Sequence, residues 1–415
     1  MRTVLHVDIN NCYAAIECLH HPELRGKPVA VGGDVEARHG IILAKNQLAK
    51  ARGVKTGEAL WQARAKCPGL IILEPDFARY LRFSRLARAL FAEYTDQVEP
   101  FGLDEAWLDV SASCALHGGG GAIGQEIRRR MKQELGITVS VGVSFNKVFA
   151  KLGSDVAGPD EVRLFSPQNY RQAAWPLPVA QLLYVGPATR QKLYKRNIPT
   201  IGHLAQTSPR LLQQWLGKWG LILHAFANGQ DCSPVRALDE AEAIKSIGNS
   251  TTTPRDLKDD RDARTVFWML AESVAARLRE SGFVCDTVQI SLRDNGLFRF
   301  ERQMRLPRPT CLAADICDAA MAILQANYSW DKPLRSIGLR ACGLHSAAQP
   351  SQTLLFEPEA ARERREAAER AVEDIRARFG PDAIWRAATG LDDTLRRIHP
   401  KEEHVIHPVG FFHAG

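Results

Sequence analysis

The chain opens on a short apolar run, from Val4 to Ile9, that is interrupted by His6 and Asp8. Such a run is typical of a strand buried in a sheet. Residues 101–110 are predicted to form a tight hairpin whose turn carries two adjacent acids. The pattern therefore places acidic side chains at the ends of predicted strands.

Strand-like and helical stretches alternate through the first part of the chain. Helices are predicted over 77–94 and 122–135, where apolar residues recur at helical spacing, and a strand is predicted over 138–143. The order strand, insertion, helix, hairpin, helix, strand is that of a ferredoxin-like sheet. The insertion, at about 20–75, mixes short strands and helices and is predicted to be a small α+β unit.

The pattern changes after residue 165. Prolines and glycines punctuate short helical stretches over 166–237, which predicts a small all-helical domain. Residues 245–347 follow the order strand, helix, strand, strand, helix, strand, which predicts a second α+β domain after a linker at 238–243. The charged stretch 357–397 is expected to be a helix on the solvated surface.

Composition narrows the class of protein. At 415 residues the chain is long enough for several domains, and it has no apolar run of membrane-spanning length, so we expect no contact with a membrane. Its amino terminus lacks the features of a signal peptide, and a cytoplasmic location is expected. Lys and Arg exceed Asp and Glu by 54 − 47 = 7, a balance compatible with a polyanionic partner.

The candidate chemistry lies in Asp8, Asp104 and Glu105. Neighbouring strands lie only about 5 Å apart, so acids at adjacent strand ends can converge. Carboxylate oxygens are the ligands that hard divalent cations prefer, and nucleotidyl transfer uses two such cations about 4 Å apart. Spacing alone leaves a second interpretation open, in which Asp8 is an ordinary strand cap and the adjacent pair an ordinary turn.

Three ordered motifs resemble one family, the Y-family translesion DNA polymerases of the bacterial UmuC/DinB type. They are His6-Val-Asp-Ile-Asn-Asn-Cys-Tyr-Ala-Ala-Ile-Glu17, Leu103-Asp-Glu-Ala-Trp-Leu-Asp-Val110 and Gly142-Val-Ser-Phe-Asn-Lys-Val-Phe-Ala-Lys-Leu-Gly-Ser-Asp155. The resemblance covers roughly residues 1–360. An ordered triple match of this kind is far more specific than any one motif.

The resemblance implies a multidomain α+β fold arranged as a right hand. We expect a ferredoxin-like palm with a small fingers insertion, a helical thumb with a helix-hairpin-helix, an α/β little finger, and a clamp-binding segment with a C-terminal tail. The corresponding residues are 1–165 for the palm with its insertion, 166–237 for the thumb, 245–347 for the little finger and 348–415 for the last part.

The resemblance also implies a site for two Mg²⁺ ions. Asp8 and Asp104 would bridge both ions, Glu105 would help to hold the catalytic one, and the main-chain carbonyl of Ile9 would complete the nucleotide-side ion. By the same resemblance Tyr13 would lie beneath the incoming sugar and exclude ribonucleotides. A core tyrosine is the alternative for Tyr13.

The other residues expected to contact the nucleotide match the family pattern only in part. Asn11 and Cys12 would line the floor of the nucleotide site. In the fingers the family usually has Tyr and Arg gripping the triphosphate, where this chain has Gln47 and Lys50, and the usual Lys before Pro159 is Gly158. Each lost charged contact costs roughly 1.5–3 kcal/mol of nucleotide binding, so we expect weak or slow incorporation with the chemistry retained.

Contacts to primer-template DNA are expected in two places. A helix-hairpin-helix would bind phosphate through main-chain amides, although a plain turn between helices also fits the pattern. The sheet face of the little finger would follow the DNA backbone without reading sequence. The residues concerned are Val185, Gly186, Ala188 and Thr189 in the first, and Lys245, Ser246, Arg293, Arg299, Arg302 and Arg305 in the second.

A short peptide after the little finger resembles the segment by which bacterial polymerases dock on the sliding clamp. Its anchors would be Gln352, Leu355 and Phe356, within residues 352–356. A buried strand is the other interpretation of so short a pattern. The protein is expected to be a monomer.

The expected function is template-directed addition of deoxynucleotides to a primer 3′ end, with low fidelity, low processivity and tolerance of damaged templates. Two alternatives stay open. A catalytically weak or silent scaffold recruited to the clamp is favoured by Gln47, Lys50 and Gly158 and opposed by the three acids. A two-metal endonuclease would leave the nucleotide-site residues unexplained.

Overall fold

The structure is a computed structural model, and it describes residues 2–33, 40–238, 240, 244–349, 359–380, 383–387, 390, 392 and 394–395. They form two compact units, the first ending after residue 240 and the second running from 244 to 395. No helix in these ranges is long and apolar enough to cross a membrane.

The first unit contains eight strands and eleven helices among its described residues. The strands are β1 (Val4–Ile9), β2 (Val29–Gly32), β3 (Ile42–Lys45), β4 (Ile71–Leu73), β5 (Val98–Pro100), β6 (Glu105–Asp109), β7 (Val139–Ser144) and β8 (Val162–Leu164). The helices are α1 (Cys12–His20), α2 (Gln47–Ala51), α3 (Leu60–Lys66), α4 (Phe77–Ala92), α5 (Gly120–Glu134), α6 (Lys147–Val156), α7 (Tyr170–Ala174), α8 (Pro187–Tyr194), α9 (Ile201–Gln206), α10 (Pro209–Leu216) and α11 (Lys218–Ala227). Short 3₁₀ turns lie at Pro22–Leu24 and Val179–Gln181.

The main sheet of this unit has five strands in the order β5-β6-β1-β7-β8. Its first four strands pair antiparallel, and β8 adds parallel to β7. The chain order β1, β5, β6, β7 with this spatial order is the ferredoxin-like arrangement, so the predicted sheet is confirmed. The hairpin turn falls between β5 and β6, immediately before Glu105.

Two smaller parts complete the first unit. Strands β2, β3 and β4 form a separate three-stranded sheet in the order β3-β2-β4, with α2 and α3, where the fingers insertion was predicted. Helices α7 to α11 form the all-helical stretch. The predicted boundaries at residues 165 and 237 fall inside the first unit, and the division into palm, fingers and thumb stays a prediction.

The second unit is a four-stranded antiparallel sheet covered on one face by helices. Its order is β11-β10-β12-β9. The elements are β9 (Ser246–Leu257), α12 (Asp260–Glu280), β10 (Phe283–Asp294), β11 (Arg299–Thr310), α13 (Ala313–Asn327), β12 (Leu334–Ser346) and α14 (Glu359–Phe379). Every element predicted over 245–347 is present.

Helix α14 was predicted to lie on the solvated surface, and most of its described side chains are exposed, but one side of it packs against the unit. Its Glu369 accepts a hydrogen bond from the amide of Ala313 at 3.0 Å, at the start of α13. The same carboxylate pairs with Arg279 of α12 at 2.7 Å, and both side chains are nearly buried. Beyond the helix, Leu395 is fully buried in the core of the unit. The charges of the tail are partners for charges on α12, which the pattern of one segment does not reveal.

Weakening these tail contacts is expected to loosen the tail. Glu272 of α12 receives Arg376 at 2.9 Å and also contacts Arg386, whose guanidinium lies over the Trp268 ring. Replacing Glu272 with Gln removes the charge from these hydrogen bonds, at a cost of about 1–2 kcal/mol. Limited proteolysis followed by mass spectrometry should show faster cleavage within the tail. Glu363→Gln on the exposed side of α14 is the matched control, and equal cleavage of both variants would contradict the prediction.

Candidate active site

Strand pairing places two of the acids, Asp8 and Glu105, on one face of the main sheet. Asp8 on β1 lies directly opposite Glu105 on β6, so both side chains point to the same side. The amide of Ile9 donates to the carbonyl of Asp104 at 2.9 Å, which fixes the turn beside the end of β1. The three predicted acidic ligands therefore lie at the same end of the sheet.

Helix α6 lies unusually close to this face because two glycines meet at the crossing. A Cβ on Gly142 of β7 would lie 1.8 Å from the carbonyl oxygen of Ala150. A Cβ on Gly153 would lie 2.9 Å from the Cα of Gly142. Both distances are shorter than any real contact, so only glycine permits this approach. The approach brings the polar side of α6 to the acids.

Lys151 of α6 is the cation that meets them. Its ammonium lies 2.9 Å from Glu105, 2.8 Å from Asp155 and 3.8 Å from Asp8. Burial works against the charge of Lys151, but these carboxylates outweigh burial and raise its pKa above the usual value. Lys151 lies within the third family motif, but its position in the sequence did not predict a role.

His6 supports Glu105 from beneath. It is fully buried, with Nε2 3.3 Å from the Glu105 carboxylate and Nδ1 2.7 Å from the Ser154 hydroxyl. Its ring meets the edge of Trp107 with centroids 5.1 Å apart. Burial lowers the pKa of His6, so the side chain is neutral near pH 7. His6 lies two residues before Asp8 on β1, so both side chains point to the same face. This spacing could have identified His6 from the sequence.

The pKa values of the three acids are shifted in different directions. Burial raises the pKa of Asp104 to about 6, with the charge of Glu105 adding to the effect. Burial and Glu105 also raise the pKa of Asp8, whereas the pKa of Glu105 is lowered because His6 and Lys151 outweigh its burial. Lys151 lies nearer to Glu105 than to Asp8, so Glu105 keeps its charge and Asp8 holds a proton more readily.

This electrostatic arrangement fits a divalent cation. Carboxylates that repel one another in a poorly solvated place become stable anions when a cation lies between them. Within the ranges that the structure describes, no three His, Cys, Asp or Glu side chains are arranged as a metal-binding group, and Glu105 contacts Lys151. The oxygen donors are those that Mg²⁺ prefers, so the residues fit the ion chemically.

The start of α1 lies beside the acids. Asn11 adopts a left-handed conformation with φ of 55°, which turns the chain sharply from β1 into the helix. Burial, then the charges of Asp104 and Asp8, raise the pKa of the Cys12 thiol. Burial and Asp104 raise the pKa of Tyr13 to about 12. Cys12 and Tyr13 therefore both lie within the electrostatic reach of the acids.

The predicted triphosphate contacts lie in the first turns of α2. Gln47 and Lys50 are exposed, while Asn46 caps the helix by accepting from the amide of Ala49 at 3.0 Å. Burial and the charge of Lys50 lower the pKa of Lys45 on the preceding strand. Lys45 was not predicted from the sequence, although it lies next to the Asn-Gln motif. Two ammonium groups near each other would suit an anion.

The predicted helix-hairpin-helix has an exposed turn before α8. Gly186, Ala188 and the half-buried Thr189 surround the start of this helix, where main-chain amides lack helical partners. The side chain of Val185 is buried in the core, so only its backbone can meet a ligand. A Cβ on Gly186 would touch nothing within 4 Å, which leaves open space at this point.

The open face of the four-stranded sheet carries part of the predicted basic set. Arg293 and Arg299 are directly opposite each other, and Ser246 lies on the same face two strands away. Lys245 precedes that strand and is exposed. Arg302 lies on the other face, since it pairs with the buried Ile290 and its guanidinium covers the ring of Phe300. The placement of Arg302 on the open face was wrong.

Two further arginines lie on that open face. Arg305 pairs with Thr287, and Arg340 pairs with Gln289. Strand register decides which residues share a face, and a single-residue shift reverses the answer. Arg305 belongs to the arginine set that the sequence places on this sheet, whereas Arg340 was not predicted.

The proposed clamp anchors Gln352, Leu355 and Phe356 lie outside the described residues.

Comparisons with known proteins agree with the motifs. The impB/mucB/samB family matches residues 7–155, and the C-terminal domain of that family matches residues 244–355. DNA polymerase IV of Acetivibrio thermocellus is 47% identical over 397 residues, which cover 96% of this chain and 100% of that protein. DNA polymerase IV of Pelotomaculum thermopropionicum is 36% identical over 386 residues, which cover 93% of this chain and 95% of that protein.

A solved structure shares the fold. A Y-family DNA polymerase chimera of Dbh and Dpo4 superposes with a TM-score of 0.73 at 20% identity, covering 82% of this chain and 99% of that one. The multidomain α+β fold of a polymerase is therefore confirmed. Together with the two family matches, these findings show that the chain belongs to the impB/mucB/samB family, the Y-family polymerases that its three motifs resemble.

Proposed function

We propose that Asp8, Asp104 and Glu105 carry out nucleotidyl transfer in this chain with two Mg²⁺ ions. The chain is a template-directed DNA polymerase of the translesion type, as expected for a family member with relatives named DNA polymerase IV. The observation that supports the site is the meeting of three acids at one end of the main sheet, with burial and mutual repulsion raising the pKa of Asp8 and Asp104.

The metal ions would supply two effects, a lower pKa for the primer 3′-hydroxyl and neutralisation of the triphosphate. Asp8, Asp104 and Glu105 would hold them, together with the main-chain carbonyl of Ile9. Lys151 and His6 hold Glu105 at the edge of the site through contacts of 2.9 and 3.3 Å. Their part is to keep this carboxylate charged, since both contacts lower the pKa of Glu105.

The floor of the nucleotide site is proposed to be the start of α1. Asn11 and Cys12 would lie under the nucleotide, and the Tyr13 ring would fill the space that a 2′-hydroxyl needs. The nearness of Cys12 and Tyr13 to Asp104 supports this placement, since its charge contributes to the raised pKa of both.

DNA is proposed to bind in two places. Main-chain amides at Gly186, Ala188 and Thr189 would hold a phosphate at the start of α8. Arg293 and Arg299, with Lys245 and Ser246, would line the sheet face that follows the backbone. Arg293 and Arg299 are directly opposite each other, and although Arg299 also pairs with Glu301 at 2.6 Å, the two guanidinium groups would offer a polyanion a pair of cations.

Other proposed properties rest on family likeness. The chain would work as a monomer in the cytoplasm, with low fidelity and low processivity, and residues 352–356 would dock on the sliding clamp. A pull-down of the clamp by wild-type chain and by a variant with both Leu355 and Phe356 replaced by Ala tests the last of these. Equal capture would rule out docking through this segment.

Single-nucleotide primer extension tests the function itself. The purified chain is expected to extend a primer on undamaged and on abasic templates with Mg²⁺, and to stop when EDTA removes the metal. Binding of the same primer-template, measured by fluorescence anisotropy, distinguishes a loss of catalysis from a loss of DNA binding. Intact DNA binding without extension at high nucleotide concentration would contradict the enzyme and favour the silent scaffold, the alternative that Gln47, Lys50 and Gly158 support.

Restoring the usual fingers residues is expected to improve nucleotide use. The double variant Gln47→Tyr, Lys50→Arg supplies a ring and a bidentate guanidinium fork, which Lys50 lacks. The nucleotide concentration for half-maximal extension should fall about tenfold, equivalent to about 1.4 kcal/mol. Lys66→Arg, at an exposed lysine of the same insertion that pairs with Glu58, is the control. An unchanged requirement in the double variant would show that α2 does not meet the triphosphate.

A further inference from the structure

Three aromatic rings form a cluster around Tyr13. The rings of Tyr13 and Tyr80 are stacked, with centroids 4.3 Å apart and planes 8° from parallel. Phe77 meets both at its edge, with centroids 5.9 Å from Tyr13 and 5.8 Å from Tyr80. Tyr13 belongs to α1, whereas Phe77 and Tyr80 belong to α4. The cluster therefore joins two helices.

Tyr80 is itself held in place. It is fully buried, and its hydroxyl donates to the carboxylate of Glu17 at 2.7 Å. Glu17 is also buried and receives the guanidinium of Arg79 at 2.6 Å. Glu17 lies four residues after Tyr13 on α1, one helical turn away on the same side. The Tyr80 side chain is thus fixed at its ring by Tyr13 and at its hydroxyl by the next turn of α1.

We propose that Tyr80 is a positioning residue for sugar selectivity, because it holds the Tyr13 ring in the plane that excludes a ribonucleotide. The inference rests on the proposed function, in which Tyr13 lies beneath the incoming sugar. A half-buried tyrosine without support can rotate between staggered rotamers, and a small rotation is enough to admit one extra hydroxyl. The Tyr80 ring covers one face of the Tyr13 ring, and the Phe77 ring packs against it at a steep angle. Both contacts restrict rotation of the Tyr13 side chain.

A purely structural role for Tyr80 predicts a different result. Loss of core packing would slow incorporation of deoxynucleotides and ribonucleotides together. Loss of positioning changes the ratio of the two, since only the ribonucleotide needs Tyr13 to move. The ratio of their incorporation efficiencies is therefore the informative measurement.

The experiment compares Tyr80→Leu, Tyr80→Phe and Phe91→Leu in the full chain. Tyr80→Leu removes the stacked ring and should lower discrimination against a ribonucleotide about tenfold, with deoxynucleotide incorporation within about threefold of wild type. Tyr80→Phe keeps the ring and should retain discrimination within about twofold. Phe91 is a buried aromatic residue of the same helix outside the three-ring cluster, so Phe91→Leu should leave the ratio unchanged.

A double-mutant cycle with Tyr13→Ala completes the test. Once Tyr13 is absent, Tyr80 has no ring to position, so Tyr80→Leu should cause no further loss of discrimination. Unchanged discrimination in Tyr80→Leu, equal losses for both sugars, or the same loss in the Tyr13→Ala background would each overturn the proposal. If thermal unfolding shows that Tyr80→Leu does not fold, Phe77→Leu takes its place, and wild-type discrimination in that variant is equally decisive. A wild-type chain that incorporates neither nucleotide would overturn the proposed function and, with it, this inference.

Discussion

Replacing Asp104 with Asn is expected to lower single-nucleotide incorporation by about 1,000-fold or more, equivalent to roughly 4 kcal/mol of transition-state stabilisation. The change keeps the shape of the side chain and removes one negative charge and one strong oxygen ligand. Asp104 lies in the turn whose carbonyl binds the amide of Ile9, so the substitution leaves the backbone contact in place. Primer extension at saturating nucleotide and Mg²⁺ measures the loss.

Asp109→Asn is the matched control for that experiment. Asp109 is the last residue of β6, the strand that follows the turn with Asp104, and its carboxylate pairs with Arg2 at 3.0 Å. Activity close to wild type is expected in this variant. Extension by the Asp104→Asn variant within tenfold of wild type would show that Asp104 does not hold a catalytic metal.

Replacing Lys147 with Met is expected to lower the free energy of unfolding of the first unit by about 3–5 kcal/mol. The Lys147 ammonium lies 2.7 Å from the carboxylate of Glu99, and their side chains are only 2% and 4% exposed. It also lies 4.6 Å from the centre of the Trp107 ring. The substitution leaves the charge of Glu99 buried beside a weaker set of partners, which is the reason for so large a cost. Urea unfolding of the full chain, compared with wild type, measures it.

A double variant separates the lost pair from lost packing. Lys147→Met with Glu99→Gln removes both charges, while Gln can still accept a hydrogen bond from the amide of Arg236, now 3.0 Å from Glu99. Most of the stability should return. A double variant as unstable as Lys147→Met alone would mean that packing around the methylene chain causes the loss, and not the weaker pairing of Glu99, which keeps Arg236 at 3.4 Å.

Much of the fold was accessible from local patterns. The apolar run ending at Asp8 became the central strand of the main sheet, and the hairpin turn falls where the adjacent acids interrupt the pattern. These predictions succeeded because strand alternation and turn chemistry act within a few residues. The convergence of Asp8 with Glu105 then follows from strand pairing, which the order of elements already suggested.

The parts that were missed depend on contacts between distant segments. Lys151 reaches the acids only because Gly142 and Gly153 let a helix lie against a strand, and no local pattern reports such a crossing. Arg302 was placed on the wrong face because alternation in an exposed, largely polar strand gives no hydrophobic side to count from. The roles of the metal, nucleotide and DNA contacts stay predictions.

The docked tail changes where a shortened version of this protein should end. The family match stops at residue 355, so a truncated protein designed from that match would end there. Such a fragment would lack Glu369, the acceptor for the first amide of α13, and Leu395, which is buried with Ile316 and Met321 of that helix. A freshly exposed apolar patch and an unpaired Arg279 would be left behind. The end of the family match and the end of the second compact unit are therefore different places in this chain.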